Sequence, residues 1–106
     1  MRDVNKIIIH CSATQEGKEI SAATIDEWHK ARGWRGIGYH YVIGLDGMIE
    51  YGRPITETGA HVKGHNKGSI GICYIGGVEA ERGSNGKWIA KDTRTSEQIA
   101  TLLEKL

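Results

Sequence analysis

The sequence predicts an α/β fold, a single domain with a central mixed β-sheet flanked by α-helices. Its length of 106 residues suits one domain. Apolar runs and helical spacings follow one another in the order strand, helix, hairpin, loop, strand, helix, which is typical of helices packed on the faces of a sheet. We find no internal repeat and no linker, so one domain is expected to span residues 1–106.

The composition excludes several classes of protein. The chain carries 14 basic and 13 acidic residues, a net charge of +1, which is too balanced for nucleic acid or an anionic membrane held by charge alone. No apolar stretch approaches the ~20 residues that span a bilayer, and the N-terminus lacks the features of a signal peptide. We therefore expect no nucleic-acid or membrane partner, and we expect a monomer. If Met1 is the true start, the protein is made in the cytoplasm and any export needs another route.

The first strand is predicted over residues 4–10, where a β-branched run without alternation indicates a strand covered on both faces. His10 ends this strand, and ligand sites in α/β sheets gather outside the carboxyl ends of strands. Side chains alternate across a strand, so His10 and Cys11 should point to opposite faces. Cys11 and Cys73 are expected to be two buried thiols, and the sequence leaves a bridge between them open.

A helix is predicted over residues 22–32. Ser21 suits the N-cap, because its hydroxyl can accept a hydrogen bond from a backbone N–H of the first turn. Gly33 is a natural stop. Helical spacing predicts that Ile25, Trp28 and Arg32 lie on one face of this helix. The aliphatic stem of Arg32 can lie along apolar surface on that face.

A β-hairpin is predicted from strands 39–44 and 48–51, because an Asp46-Gly47 turn signal lies between them. Residues 52–68 hold glycines, the only proline and two histidines, which indicates a long loop with a functional role.

The last third of the chain is predicted to form a buried strand over residues 69–75, a polar surface loop over 79–92 and a final helix. Thr95 and Gln98 have the spacing of a capping box at the start of this helix. Its apolar face is predicted at Ile99, Leu102, Leu103 and Leu106. No stop signal follows, so the helix and the domain are expected to continue beyond the given residues.

Five histidines are the chemically versatile residues of the chain. His29 lies within a predicted helix, which favours a structural or surface role. His40 lies in a predicted strand and is expected to support a site rather than bind a metal. His61 and His65 are four residues apart, but the nearby glycines argue against a helix, so a loop facing the substrate is favoured over a metal-binding pair. His10, at a strand end, is the candidate for a functional group.

Several short strings follow one another along the chain: Ile9-His10-Cys11-Ser12-Ala13-Thr14, Trp28-His29-Lys30, Gly33-Trp34, Gly38-Tyr39-His40-Tyr41, Asp46-Gly47, Gly52-Arg53, Gly59-Ala60-His61 through Asn66, and Ser69-Ile70-Gly71-Ile72. In this order and spacing they resemble the type-2 N-acetylmuramoyl-L-alanine amidase family. That family includes small phage lysozyme-like amidases and the animal peptidoglycan recognition proteins. The resemblance covers nearly the whole chain and implies the fold of peptidoglycan recognition proteins.

The resemblance also implies a reaction, a cofactor and a set of site residues. Members hydrolyse the amide between N-acetylmuramic acid and L-alanine in peptidoglycan, with Zn²⁺ held by two histidines and a cysteine. His10 matches the first metal ligand and Tyr39 the catalytic tyrosine, whereas His61 and Asn66 match positions that border the substrate groove. Zinc lowers the pKa of bound water toward ~7, and a tyrosine hydroxyl can donate to a developing oxyanion.

The other metal ligands of the family lie beyond the final helix and have no counterpart in this chain. Since catalytic zinc normally has three protein ligands, we expect an incomplete Zn²⁺ site in an amidase domain that lacks its C-terminal part. The 106 residues alone should then bind zinc poorly and cut little. Peptidoglycan or a muropeptide is the expected partner, and a non-catalytic peptidoglycan-binding module is the alternative function.

Overall fold

The computed structural model describes residues 2–105, and its elements alternate between strands and helices as the sequence predicts. In chain order they are β1 (Lys6–Cys11), β2 (Thr14–Gln15), α1 (Ala22–Ala31), β3 (Tyr41–Ile43), β4 (Ile49–Tyr51), β5 (Ser69–Tyr74), β6 (Gly77–Val78) and α2 (Ser96–Lys105). Strands β1, β5 and β3 are parallel neighbours, and β4 adds an antiparallel edge to give the order β1-β5-β3-β4. The prediction of a mixed sheet with helices is confirmed.

The sheet has a separate apolar core on each face. The first core joins α1 to the sheet and contains the buried residues Ile20, Ala22, Ile25, Val42, Cys73 and Ile75. The second joins α2 to the sheet through Ile43, Ile72 and Leu102. Because β5 lies in the middle of the sheet and contributes to both cores, its side chains are buried on both faces.

The prediction that β1 is covered on both faces is wrong. Ile7 and Ile9 are 36% and 41% exposed. The reason is the topology: β1 is an edge strand, and the apolar core beneath α2 forms over β3 and β5 instead. The run of β-branched residues therefore predicted the strand correctly. It did not predict how much of the strand is buried by the rest of the described chain.

Helix α1 begins and ends where the sequence predicts. The Ser21 side chain accepts from the backbone N–H of Thr24, and Gly33 follows the helix with φ +88°. The buried face is different from the prediction, however, because Ala22, Ile25 and His29 point to the core while Trp28 is 41% exposed. The buried stripe thus runs through His29, a polar residue that a search for apolar spacing does not select.

Helix α2 has the predicted capping box. The Gln98 backbone N–H donates to Thr95 Oγ1, and the Thr95 backbone N–H donates to Gln98 Oε1. The predicted apolar face is only partly right, because Leu102 is buried whereas Leu103 is 67% exposed. Gln98 is buried in place of Ile99, since its Nε2 donates to the carbonyl oxygens of two sheet residues. Leu106, the last predicted member of that face, lies outside the described residues.

Two short strands escape the sequence prediction. β2 pairs with β6 in a separate two-stranded sheet beside the main one. Gly76 and Gly77, at φ +134° and +112°, carry the chain from β5 into β6. The segment 79–92 is mostly exposed, as predicted, and returns toward β6 through a bridge between Val78 and Ala90. Neither helix within residues 2–105 is long or apolar enough to cross a membrane.

Candidate functional site

The candidate site forms around His10, at the carboxyl end of β1, and Tyr39, just before β3. Their rings are 5.4 Å apart, centroid to centroid. His10 is the register neighbour of Cys73 on β5, and Tyr39 packs against the apolar core that includes Cys73. Two residues that are 29 positions apart in the sequence are therefore brought together, because His10 and Tyr39 both lie beside Cys73 of β5.

The phenol of Tyr39 is held in its neutral form. Burial raises the pKa of Tyr39 to about 12, and a hydrogen bond with the Cys73 thiol adds to the shift. A neutral phenol keeps its proton throughout the physiological pH range, so Tyr39 can donate a hydrogen bond to an oxygen of a bound molecule. Burial also raises the pKa of Cys73 to about 12, so that its sulfur remains a thiol.

The loop between β4 and β5 brings His61 to the same place. The backbone N–H groups of His61 and Val62 donate to Asn66 Oδ1 over 2.8 and 2.9 Å, which fixes the loop around the ring. The ring lies over Gly71 of β5, where the Cβ atom of any other residue would come within 2.5 Å of it. The absent side chain of Gly71 thus makes the space that His61 fills.

His10 and His61 form a hydrogen-bonded pair of imidazoles. The Nε2 atom of His10 lies 2.9 Å from Nδ1 of His61, and the rings meet edge to face with centroids 5.0 Å apart. Burial lowers the pKa of His61 to about 4, helped by the positive charges that His10 and His40 can carry. Burial also lowers the pKa of His10, so both rings are neutral at pH 7.

The remaining histidines take supporting positions. His40 is 1% exposed, accepts a hydrogen bond from the Gly71 backbone N–H at Nδ1 and contacts the Glu57 carbonyl oxygen through Nε2. This agrees with the prediction that His40 supports a site. His65 is exposed and the 52–68 segment contains no helix, so the structure does not bring His61 and His65 together as a pair.

A small cleft opens beside Tyr39. Its volume is about 70 Å³, and it is lined by Ser12, Ile25, Trp28, His29, Arg32 and Tyr39. His29 is buried, packs on Trp34 and Tyr39, and accepts a hydrogen bond from the Gly38 backbone N–H at Nδ1. His29 therefore has the structural role that the sequence predicts, and it forms part of the wall of this cleft.

Sequence reasoning missed two contributors to the site. The Oγ atom of Ser69 lies 3.0 Å from Nε2 of His61. The thiol of Cys73 contacts the phenol of Tyr39. The only available signal was that both lie in the strand that follows the histidine-bearing loop. Neither contact could be read from spacing, because the first depends on how the loop folds back over the start of β5 and the second on the parallel pairing of β5 with β3.

The residues that could hold a metal do not form a complete site within residues 2–105. No group of three His, Cys, Asp or Glu side chains is placed to bind one ion in this part of the chain. His10 and His61 offer two imidazoles, and their facing nitrogens are occupied with each other. Both cysteines are free: Cys73 is buried, whereas Cys11 is only half-buried and packs against Gly77. A zinc site with three protein ligands therefore does not fit these residues alone.

Solved structures with the same architecture define the class of this domain. The chain superimposes on the N-acetylmuramoyl-L-alanine amidase LysC from Clostridium intestinale with a TM-score of 0.77 and 33% identity, covering 98% of this chain and 60% of that one. It superimposes on a peptidoglycan recognition protein in a complex of LCa and LCx with tracheal cytotoxin, with a TM-score of 0.73, 29% identity and coverage of 98% and 61%. The fold is that of the amidases and peptidoglycan recognition proteins.

The chain belongs to the N-acetylmuramoyl-L-alanine amidase family, whose family model matches residues 1–106. It is 39% identical over 104 residues to the endolysin of Escherichia phage T7, covering 93% of this chain and 66% of that protein. It is 41% identical over 80 residues to the endolysin of Klebsiella phage KP32, covering 76% and 53%. The chain thus spans about half to two thirds of the length of these relatives, and its resemblance to the amidase family is confirmed.

Proposed function

We propose that this domain, in the protein that carries it, binds peptidoglycan and hydrolyses the amide between N-acetylmuramic acid and L-alanine. The observation that carries the proposal is the meeting of His10, Tyr39 and His61 at one place, in a chain that matches the amidase family over its whole length. The endolysin relatives support the reaction class. A muropeptide would be the smallest substrate that contains this amide.

The described residues suit parts of this reaction. An amide is a poor electrophile, so its carbonyl oxygen needs a hydrogen-bond donor when negative charge develops on it. The neutral phenol of Tyr39, with its pKa raised by burial to about 12, is such a donor. His61 lies beside His10 and is held by Asn66, which suits a loop that borders the bound substrate. His61 and Asn66 remain proposed substrate-binding residues on this basis.

Zinc is the cofactor that the family resemblance implies, and His10 is the proposed ligand within this chain. When bound, zinc would supply a Lewis acid for the carbonyl and an acidic bound water. Because residues 2–105 provide no group of three ligands, we propose that the 106 residues by themselves bind zinc weakly.

Two measurements on the purified 106-residue chain test this proposal. Zinc titration by calorimetry should give weak, substoichiometric binding, and mass spectrometry of a muropeptide incubated with the chain and zinc should show little release of peptide. Tight binding of one zinc with rapid cleavage would contradict the incomplete site. Failure of the muropeptide to perturb the NMR signals of His10 or His61 would contradict the proposed substrate site itself.

A second candidate function is a non-catalytic peptidoglycan-binding module. The observation that favours it is the incomplete set of metal ligands within residues 2–105, together with the similarity to peptidoglycan recognition proteins. The two functions differ in the fate of the bound substrate. An extended protein that contains this domain and a full set of ligands should release the stem peptide if it is an amidase, whereas a binding module should retain the muropeptide intact.

A further inference from the structure

The surroundings of Ser69 show which of its contacts it donates to. Its hydroxyl lies 2.8 Å from the carbonyl oxygen of His65 and 3.0 Å from that of Asn66. Carbonyl oxygens only accept, so the single hydroxyl proton points toward them. The lone pairs of Ser69 Oγ are then left for Nε2 of His61, 3.0 Å away. The hydrogen of that contact must therefore belong to His61 Nε2.

The tautomer of His61 decides that of its neighbour. A neutral imidazole with its hydrogen on Nε2 has a bare Nδ1 that can only accept. The two ring nitrogens face His10 and the Ser69 hydroxyl, and neither faces a carboxylate that would stabilise a second proton on the ring. Since Nδ1 of His61 lies 2.9 Å from Nε2 of His10, the hydrogen between the rings belongs to His10.

We propose that Ser69 and His61 form a hydrogen-bonded relay that holds His10 in its Nε2–H tautomer and leaves Nδ1 as the free nitrogen of that ring. Ser69 is a positioning residue in this scheme, because it acts on His10 only through His61. That His10 is a functional residue rests on the proposed amidase function, whereas the order of the hydrogen bonds does not.

The fold holds the members of the relay rigidly in place. Ser69 begins the central strand β5 and is fully buried. The ring of His61 packs directly on the backbone of Gly71 on one side. On the other side it is held by the loop that Asn66 fixes. Reversing the direction of every hydrogen bond would require Ser69 to donate to His61 and would take its hydroxyl proton away from the carbonyl oxygens of His65 and Asn66. The Asn66 carbonyl would keep the Ser69 backbone N–H, whereas the His65 carbonyl would lose the shorter of the two hydroxyl contacts.

NMR on the metal-free 106-residue chain, labelled with ¹⁵N, tests the relay directly. Free imidazole favours the Nε2–H form without holding it exclusively, so an exclusive Nε2–H tautomer supports the relay and a direct sign of the hydrogen bond is needed beside it. The decisive signal is a scalar coupling across the hydrogen bond between Nε2 of His10 and Nδ1 of His61. We expect this coupling, together with ¹⁵N shifts of bare Nδ1 atoms in both rings. A proton on Nδ1 of His10, or no coupling between the rings, would overturn the proposal.

The Ser69→Ala variant tests the origin of the relay. It should abolish the coupling and give both rings a mixture of tautomers, because the buried Nε2–H of His61 loses its acceptor. Ser84→Ala, in an exposed loop, is the matched control and should leave every histidine signal unchanged. An unchanged coupling in Ser69→Ala would show that Ser69 does not position the ring.

A second pair of variants keeps the test independent of the folding of Ser69→Ala. In His61→Asn the carboxamide oxygen can accept the hydrogen of His10, whereas in His61→Leu no acceptor remains. His10 should stay in the Nε2–H form in the first variant and become mixed in the second, and identical behaviour in both would contradict the relay. No muropeptide cleavage is measured in these experiments, so their failure is distinguishable from failure of the proposed function.

Discussion

At the scale of single residues, the candidate site depends on groups whose protonation is set by burial. Tyr39 remains a phenol, His10 and His61 remain neutral, and Ser69 closes the hydrogen-bond network behind them. Within residues 2–105, none of these side chains forms a hydrogen bond with a carboxylate, so desolvation and hydrogen bonds to neutral groups, rather than ion pairs, determine which atoms can donate. The site is therefore suited to donating a hydrogen bond to an oxygen of an uncharged substrate group such as an amide.

The first prediction concerns Tyr39. If its hydroxyl stabilises developing charge, Tyr39→Phe should lower muropeptide cleavage about 100-fold to 1,000-fold in a protein that carries this domain with a complete metal site. The KM should change little, because the hydroxyl is needed most in the transition state. Tyr51→Phe, at a position 75% exposed on β4, is the control and should cleave normally. Equal rates for the two variants would remove Tyr39 from the reaction.

At the scale of elements, the packing of α2 shows that hydrophobic spacing locates a helix better than it orients one. The buried positions are Gln98 and Leu102, because the amide of Gln98 bridges the carbonyl oxygens of Ile43 and Ile75 at the ends of two strands. The Ile43 carbonyl also accepts from the Ile75 backbone N–H, and Gln98 adds a second hydrogen bond there and pairs the Ile75 carbonyl. These hydrogen bonds turn the polar side chain of Gln98, rather than the apolar side chain of Ile99, toward the sheet.

The second prediction tests that orientation. Leu102→Ala should lower the free energy of unfolding by about 2–5 kcal/mol, because it leaves a cavity in the core beneath α2. Leu103→Ala removes the same atoms one position along and should change it by no more than about 0.5 kcal/mol, since Leu103 is largely exposed. Urea unfolding of both variants measures the difference, and equal losses would mean that the helix packs through the face predicted from spacing.

The third prediction concerns the space above β5. Gly71→Ala should destabilise the domain by about 1–3 kcal/mol, because the new methyl group collides with the ring of His61. The φ angle of Gly71 is not in the left-handed region, so backbone strain does not contribute. Gly44→Ala is the control, since its methyl group would meet mainly the flexible carboxylates of Glu19 and Asp46. Thermal unfolding gives the stability, and the NMR signals of His61 should shift only in Gly71→Ala.

At the scale of the whole molecule, the two helices cover the sheet unequally. The cores beneath α1 and α2 meet at β5, so the middle of the sheet is the best-packed part of the described chain. The exposed Ile7 and Ile9 lie on the edge strand, away from both helices. The candidate site lies between this well-packed centre and the less covered edge. His10 lies on the edge strand β1, Ser69 lies on the central strand β5, and His61 packs over β5.

The fourth prediction is a loss of global stability in acid. The pKa of His61 is lowered to about 4 in the folded chain, against 6.5 as its ordinary value, and burial also lowers those of His10, His29 and His40. The unfolded chain therefore binds more protons between these values, so stability is fully present above about pH 6.5 and falls as the pH decreases toward 4. Urea unfolding at a series of pH values measures this slope.

The contribution of His61 to that slope is separable. His61→Asn should make the stability less dependent on pH between 6.5 and 4, because a group with a lowered pKa has been removed. His65→Gln, which replaces an exposed histidine in the same loop, should leave the slope as it is. A steep acid transition that persists unchanged in His61→Asn would show that His61 is protonated as easily in the folded chain as in the unfolded one.

The sequence by itself determined the α/β class, the positions of both helices and of the four strands of the main sheet, the caps at Ser21 and Thr95, and the family of the domain. These features depend on local propensity, periodicity and motif order, all of which lie within short stretches of chain. Its predictions for Asn66 and His61 as substrate-binding residues, and for His10 as a zinc ligand, remain proposals.

Only the tertiary structure decided which faces are buried and which side chains meet. The exposure of β1 and the burial of Gln98 follow from the order of the strands, and the contact of Ser69 with His61 follows from the way the loop folds back over β5. Spacing along the chain encodes neither strand order nor the path of a loop, so it could not leave Ile9 at an open edge or place Ser69 behind His61. Long-range pairing sets both the surroundings of each imidazole and the direction of the hydrogen bonds between them.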